Sequence, residues 1–212
     1  MDYIRDRPDR MLEYTQQHLS LVLTSVAIAM LIGIPLGILI TRVRVLEGPV
    51  IGIAGVLYTV PSLALFAIMI PYTGVGRTTV IIALAMYSLL AIVRNTVTGI
   101  DDVPPATLDA ARGMGMTGRQ RLLMVELPLA LPVILAGVRL ATVAAIGIAT
   151  IGALFDAGGL GRPIFDGMRS LNTDRIIAGA LVASVLALAA DWGIGRLGDA
   201  LRRDVGPAVG GR

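Results

Sequence analysis

The sequence predicts an all-α protein that crosses a membrane about five times, and three observations carry that expectation. Its 212 residues have a mean hydropathy of +0.79, with 55% hydrophobic and only 16% charged residues, against about 25% charged in an ordinary soluble domain. The apolar residues gather in long runs bounded by arginine, aspartate or glycine/proline clusters. Glycine (25 residues) and proline (11) are abundant, and both are more frequent in transmembrane helices than in soluble ones. The apolar fraction excludes disorder and collagen.

Residues 1–17 read as a short amphipathic helix whose side of the membrane is open. The first run, Leu19 to Ile40, carries no charge; at 1.5 Å per residue it covers about 33 Å, enough for a hydrocarbon core of about 30 Å. A cleaved signal would have a shorter apolar region and a small-residue cleavage site, whereas this run passes straight into Thr41 and Arg42. It is therefore expected to be retained. Further spans are expected at 49–70, 78–93, 129–155 and 176–192, with Pro35 and Pro61 interrupting the first two. The whole of 1–212 then forms a single transmembrane domain, with no soluble domain, linker or internal repeat.

Orientation follows from the arginines. All 18 basic residues are arginine. With the N-terminus outside, ten face the cytoplasm (Arg42, Arg44, Arg94, Arg112, Arg119, Arg121, Arg196, Arg202, Arg203, Arg212) and seven lie outside (Arg5, Arg7, Arg10, Arg77, Arg162, Arg169, Arg175). Ten against seven favours this arrangement and a cytoplasmic C-terminus. The net charge of +3 and pI near 9.8 come from arginines scattered between apolar runs, not from one basic face, which argues against nucleic acid. Absence of lysine removes a P-loop or Schiff-base lysine. With no cysteine and one histidine, His18, thiolate chemistry and a His/Cys metal site are also excluded. The chain is thus expected to bind no cofactor and to hydrolyse no nucleotide.

The longest polar stretch, 94–127, reads as two short helices at the membrane surface. Asp101, Asp102, Pro104 and Pro105 suit a helix start, and Gly113 and Gly115 suit its end. Thr117, three residues before Gln120, gives a capping-box pattern for the second helix. Pro128 and Pro132 open the next span. On these grounds alone the stretch is either a solvated loop on lipid headgroups or a contact for a partner.

Its spacing is similar to the cytoplasmic coupling motif of binding-protein-dependent ABC importer permeases. The sequence Asp109-Ala110-Ala111, three residues, Gly115, nine residues and Val125-Glu126-Leu127-Pro128 resembles that family's Glu-Ala-Ala, three residues, Gly, nine residues, Ile-x-Leu-Pro. Asp109 and Val125 replace glutamate and isoleucine. Tyr58-Thr59-Val60-Pro61-Ser62-Leu63-Ala64-Leu65, Arg94-Asn95-Thr96 and Ala111-Arg112-Gly113-Met114-Gly115-Met116 resemble the osmoprotectant branch, and the likeness runs from about His18 to Asp191. It implies a type I permease fold like that of methionine importers, in the plasma membrane of a prokaryote. The implied cargo is glycine betaine, carnitine, choline or a related quaternary amine, or else an amino acid or betaine-like thiol. The implied partners are two ATPase subunits holding ATP and magnesium, a second permease subunit, identical or homologous, and an extracytoplasmic binding protein.

Within that resemblance, the coupling residues are Asp109 to Met116 with Val125, Leu127 and Pro128. The alanines permit close approach, Gly115 permits a sharp turn, and Asp109 either presents charge to the partner or favours the helix dipole. Polar groups inside spans face cavities or other helices, so Tyr58, Thr59, Pro61, Ser62, Asn95, Arg139, Thr142 and Asp191 are the candidates for the translocation path. Arg139 has three open fates: pairing with Asp191, snorkelling, or bonding helix carbonyls. No aromatic cage for a quaternary ammonium is visible among the dispersed tyrosines, and Trp192 reads as an interface anchor. Gly158, Gly159 and Gly161 match a loop common on the external side of such permeases and mark either an outer gate or a plain turn. A membrane-embedded enzyme would need clustered acids, a Ser/His arrangement or a metal site, and an ion-coupled carrier would need inverted repeats with matched broken helices; the sequence has neither.

Overall fold

The structure is a computed structural model that describes residues 2–204, and every regular element among those residues is a helix. Ten α-helices follow one another: α1 (Asp2–Asp6), α2 (Pro8–Arg42), α3 (Glu47–Thr59), α4 (Ser62–Thr73), α5 (Arg77–Asp101), α6 (Pro105–Gly113), α7 (Gly118–Arg121), α8 (Leu127–Ala149), α9 (Gly161–Arg169) and α10 (Thr173–Asp204). A π-turn, Leu122–Glu126, joins α7 to α8, and 3₁₀ turns occupy Arg44–Leu46 and Ile151–Phe155.

Four helical stretches among the described residues are long and apolar enough to cross a membrane: Pro8–Arg42, Arg77–Asp101, Gly118–Ala149 and Thr173–Leu201. The region expected as one span at 49–70 is instead two helices bent by 103°. Pro61 has no N–H to continue the ladder and drives Val60 into extended backbone (φ −65°, ψ 128°). Counted as one span, the bent pair brings the total to five. Pro35, by contrast, lies inside an unbroken α2.

The helices also outrun the apolar windows. α2 begins at Pro8 where the apolar run begins at 19, α5 continues past Val93 to Asp101, and α10 runs from Thr173 to Asp204 where 176–192 was expected. Hydropathy marks only the lipid-bathed length, while the hydrogen-bond ladder continues until a cap or proline stops it. The run at 129–155 splits the other way: α8 ends at Ala149 and tightens into the 3₁₀ turn.

Helix α5 packs along α2 on one side and α8 on the other. It runs parallel to α2, with Gly33 against Ile92 and Gly37 against Thr96, and antiparallel to α8, with Gly137 against Asn95 and, in the 3₁₀ turn just beyond α8, Gly152 against Val80. At these crossings a side chain would collide, so small residues let the backbones close. α10 lies on the far side of α8. The core between α2, α5 and α8 is filled by Leu21, Ala29, Leu84, Ile92, Ala145 and Phe66, which meets Phe155 edge-on at 5.3 Å. Buried Ser25, Ser88, Thr96 and Thr142 donate to carbonyls four residues back in their own helices, and among the described residues no buried hydroxyl lacks a partner.

This packing creates two polar ends. One gathers Arg42, Arg44, Asp101 and the segment 102–126; the other gathers Gln17, His18, Arg77 and the loop 156–161.

Candidate functional site

The segment 102–126 is a helix, a tight turn and a second helix, each stop encoded locally. Pro105 sits in the first turn of α6, where a missing N–H costs nothing. Gly115, at φ +77°, ends that helix in a left-handed turn: its N–H donates to the Arg112 carbonyl and the Met116 N–H donates to the Ala111 carbonyl, at 2.9 and 3.1 Å. These two bonds form a Schellman motif, which satisfies the last carbonyls and reverses the chain. Thr117 and Gln120 form a reciprocal capping box, each side chain accepting from the other's backbone N–H. The turn read in the sequence is therefore built as read.

Asp109 lies mid-helix, highly exposed, and receives a 2.9 Å bond from Arg112. Helix α6 has no acid in its first turn, so Asp109 lies beyond the turn where a carboxylate favours the helix dipole most. Ala111 is buried while Ala110 is exposed. Met114, Leu123 and Met124 are exposed apolar side chains on the same segment. Leu127 packs against Ile100, Ala130 and Ile134, Val125 is half-buried in the π-turn, and Pro128 lies in the first turn of α8.

Glu126, which sequence reasoning passed over, is the anchor of the segment. Only 2% of its side chain is exposed; Arg121 Nε donates to one carboxylate oxygen at 2.9 Å and Arg42 Nη2 donates to the other. Near the start of the segment, Arg44 makes a bidentate pair with Asp101 at 2.6 and 2.8 Å. The only sequence signal for Glu126 was a lone acid inside an apolar run, and its partners lie up to 84 residues away.

At the opposite end, Gly158 and Gly159 have φ of +79° and +82°, which only glycine adopts freely. The Gly159 N–H donates to Gln17 Oε1 at 2.9 Å and the Leu160 N–H donates to His18 Nδ1 at 3.3 Å. Because Nδ1 accepts, the Nε2–H is the donor to the Ile146 carbonyl at 3.1 Å, and the imidazole is the neutral Nε2–H tautomer. His18 is fully buried within α2, one residue before the apolar run that begins at Leu19. A Cβ on Gly161 would overlap the Thr150 carbonyl.

The path candidates fall into three groups. Tyr58, Thr59, Pro61 and Ser62 lie at the bend between α3 and α4; Tyr58 meets Tyr87 edge-on at 6.2 Å, and the Tyr87 hydroxyl donates to the Val60 carbonyl. Asn95 packs on Gly137 of α8, and Asn95 and Thr142 each bond carbonyls of their own helices. Arg139 and Asp191 form a bidentate pair joining α8 to α10, its Nε bond 2.6 Å long, which decides among the three fates open to Arg139. Trp192 is exposed and stacks under Arg196 at 4.5 Å. Among the described residues no group of three or more His, Cys, Asp or Glu side chains is arranged to hold a metal ion.

The model of the binding-protein-dependent transport system inner membrane component family matches residues 33–203. The chain belongs to that family. Its relatives include an osmoprotectant import permease of Salmonella typhimurium, 46% identical over 92% of this chain and 93% of that protein. A glycine betaine/carnitine/choline transport system permease of Bacillus subtilis is 47% identical over 87% and 81%, and a carnitine transport permease of Listeria monocytogenes is 41% identical over 92% and 89%. The fold is similar to a chain of the MetNI methionine ABC transporter in an inward-facing conformation, with TM-score 0.84, 22% identity and coverage of 92% and 98%. At that identity the likeness establishes the fold of an ABC importer permease. The chain is accordingly a multi-pass membrane permease, and the family and fold are those of subunits that are generally non-catalytic.

Proposed function

We propose that this permease carries glycine betaine, choline, carnitine or a related quaternary amine into the cell as one of two membrane subunits of an ATP-driven importer. The observation that carries the solute class is the 40–47% identity, over most of the chain, to permeases whose names specify those solutes. Residues 1–212 act as one transmembrane domain of a prokaryotic plasma membrane, with the N-terminus outside and the C-terminus cytoplasmic. Two ATPase subunits bind ATP and magnesium, a second permease, identical or homologous, completes the path, and an extracytoplasmic protein selects and delivers the solute.

The α6–α7 turn is the contact for the ATPase. Asp109 offers charge, Ala110 and Gly113 permit close approach, buried Ala111 lets α6 close on its own segment, Arg112, Met114 and Met116 complete the surface, Gly115 fixes the reversal, and Val125, Leu127 and Pro128 seat the segment on α8. Its motif spacing, its Schellman turn and its exposed apolar side chains support this role. ATP binding draws the two coupling segments together and opens the bundle outward; hydrolysis resets it. Tyr58, Thr59, Pro61 and Ser62 at the bend line the path together with Asn95, Arg139, Thr142 and Asp191, and Gly158, Gly159 and Gly161 form the outer gate.

The test is uptake of radiolabelled glycine betaine and choline at raised osmolarity, in cells with and without the gene and with other routes deleted. Loss of uptake on deletion is expected. Unchanged uptake of every quaternary amine tried would refute the solute assignment.

A further inference from the structure

The two boundaries of the coupling segment are held by one short piece of chain. Arg42, the last residue of α2, donates to Glu126 where the segment leaves for α8, and Arg44, two residues on, holds Asp101 where the segment begins. Arg44 also reaches Glu47, the first residue of α3, at 3.5 Å. From there α3 runs without interruption to Thr59 and the 103° bend.

The π-turn explains how Glu126 takes two partners. In a regular α-helix, residues five apart are separated by about 140° around the axis, so Arg121 and Glu126 would point apart. In the turn Leu122–Glu126 the Leu127 N–H donates to the Leu122 carbonyl, five residues back. The wider turn brings Arg121 over Glu126, and π-turns inside helices recur at functional sites. A carboxylate buried to 2% exposure is retained only with its charges paired. Glu126 therefore binds α7, α8 and the end of α2 into one body.

We infer that Arg42 and Arg44 are positioning residues that form a clip by which the coupling segment drives α3, and hence the bend carrying Tyr58 to Ser62. This rests on the coupling role proposed above. A tilt of the segment reaches Asp101 and Glu126 together, and both transmit it to the two-residue interval that opens α3. The Asp101 pair is partly exposed, with Arg44 at 54% and Asp101 at 35%, whereas the Glu126 anchor is buried. The clip thus has one fixed jaw and one hydrated jaw.

The test uses the complete transporter, with its ATPase and second membrane subunit, in liposomes. The chain has no cysteine, so spin labels can be placed on Ile53→Cys in α3 and Leu23→Cys in α2, both exposed. Trapping with ATP should change their separation by about 2 Å or more. Arg44→Ala and Glu126→Gln should abolish that change while hydrolysis continues, and solute moved per ATP should fall about tenfold. The exchange Arg44→Asp with Asp101→Arg should restore both.

A label shift in Arg44→Ala as large as in the parent, no shift in the parent itself, or an exchange that restores nothing would overturn the clip. Arg44→Ala keeps the test decisive where Glu126→Gln fails to assemble. A parent whose α3 moves, and stops moving in the variants, without carrying any quaternary amine supports the clip and defeats the solute assignment alone.

Discussion

The two ends of helix α2 hold two different loops by two different chemistries. At one end Gln17 and His18 accept backbone N–H bonds from Gly159 and Leu160; at the other Arg42 and Arg44 hold carboxylates at the borders of the 102–126 segment. The His18 latch is neutral and fully buried, and it touches backbone, so it fixes one conformation of the glycine loop. The arginine contacts are charged and partly hydrated, with Arg42 and Arg44 side chains 38% and 54% exposed. Exposed ion pairs are individually weak and can rearrange, while buried ones are costly to break on one side. From His18 to Arg42 is about 36 Å along the helix, so one continuous helix touches both the 156–161 loop and the borders of the 102–126 segment.

The comparison is broken most severely at Glu126. Glu126→Ala leaves two arginines around a vacated buried site and should destabilise the folded chain by about 3–5 kcal/mol, read as a lowered midpoint of thermal unfolding in detergent. His18→Ala strips partners from the Leu160 N–H and the Ile146 carbonyl, and should cost about 1–3 kcal/mol in the same assay. Because that loss lies at the far end, it should leave the basal ATPase rate of the assembled transporter unchanged. Gly115→Ala places a Cβ at φ +77° and should cost about 1–2 kcal/mol; nothing crowds that position, so the effect is backbone strain alone. Asp109→Lys sharpens the contrast furthest: its exposed pair with Arg112 should contribute no measurable stability, and its whole effect should fall on coupling.

What the sequence made legible was local. Uninterrupted apolar runs marked the long helices, and Gly115 and the Thr117/Gln120 pair marked a turn built as expected, because caps and left-handed residues act over a few residues. The 103° bend was less readable: Pro61 announced an interruption, but Pro35 looked alike and interrupts nothing. The difference comes from context. Pro35 lies inside the 35-residue helix that packs along α5, while Val60 gives its carbonyl to the Tyr87 hydroxyl across the bend. The Arg139–Asp191 pair was legible as one of three fates open to Arg139, but the Arg42–Glu126, Arg44–Asp101 and His18 contacts could not be read at all, since they join residues 57 to 142 apart and no local periodicity encodes such distances. Glu126 and His18 looked like isolated polar residues because their partners arrive only with the fold.

The central claim, that the α6–α7 segment couples a partner ATPase to movement of solute, is tested most directly by measuring uptake and ATP hydrolysis together in membranes containing Asp109→Lys or Gly115→Leu. Both variants are expected to insert and to retain hydrolysis by the partner while uptake per ATP collapses. Full transport at the parent ratio in both would contradict it.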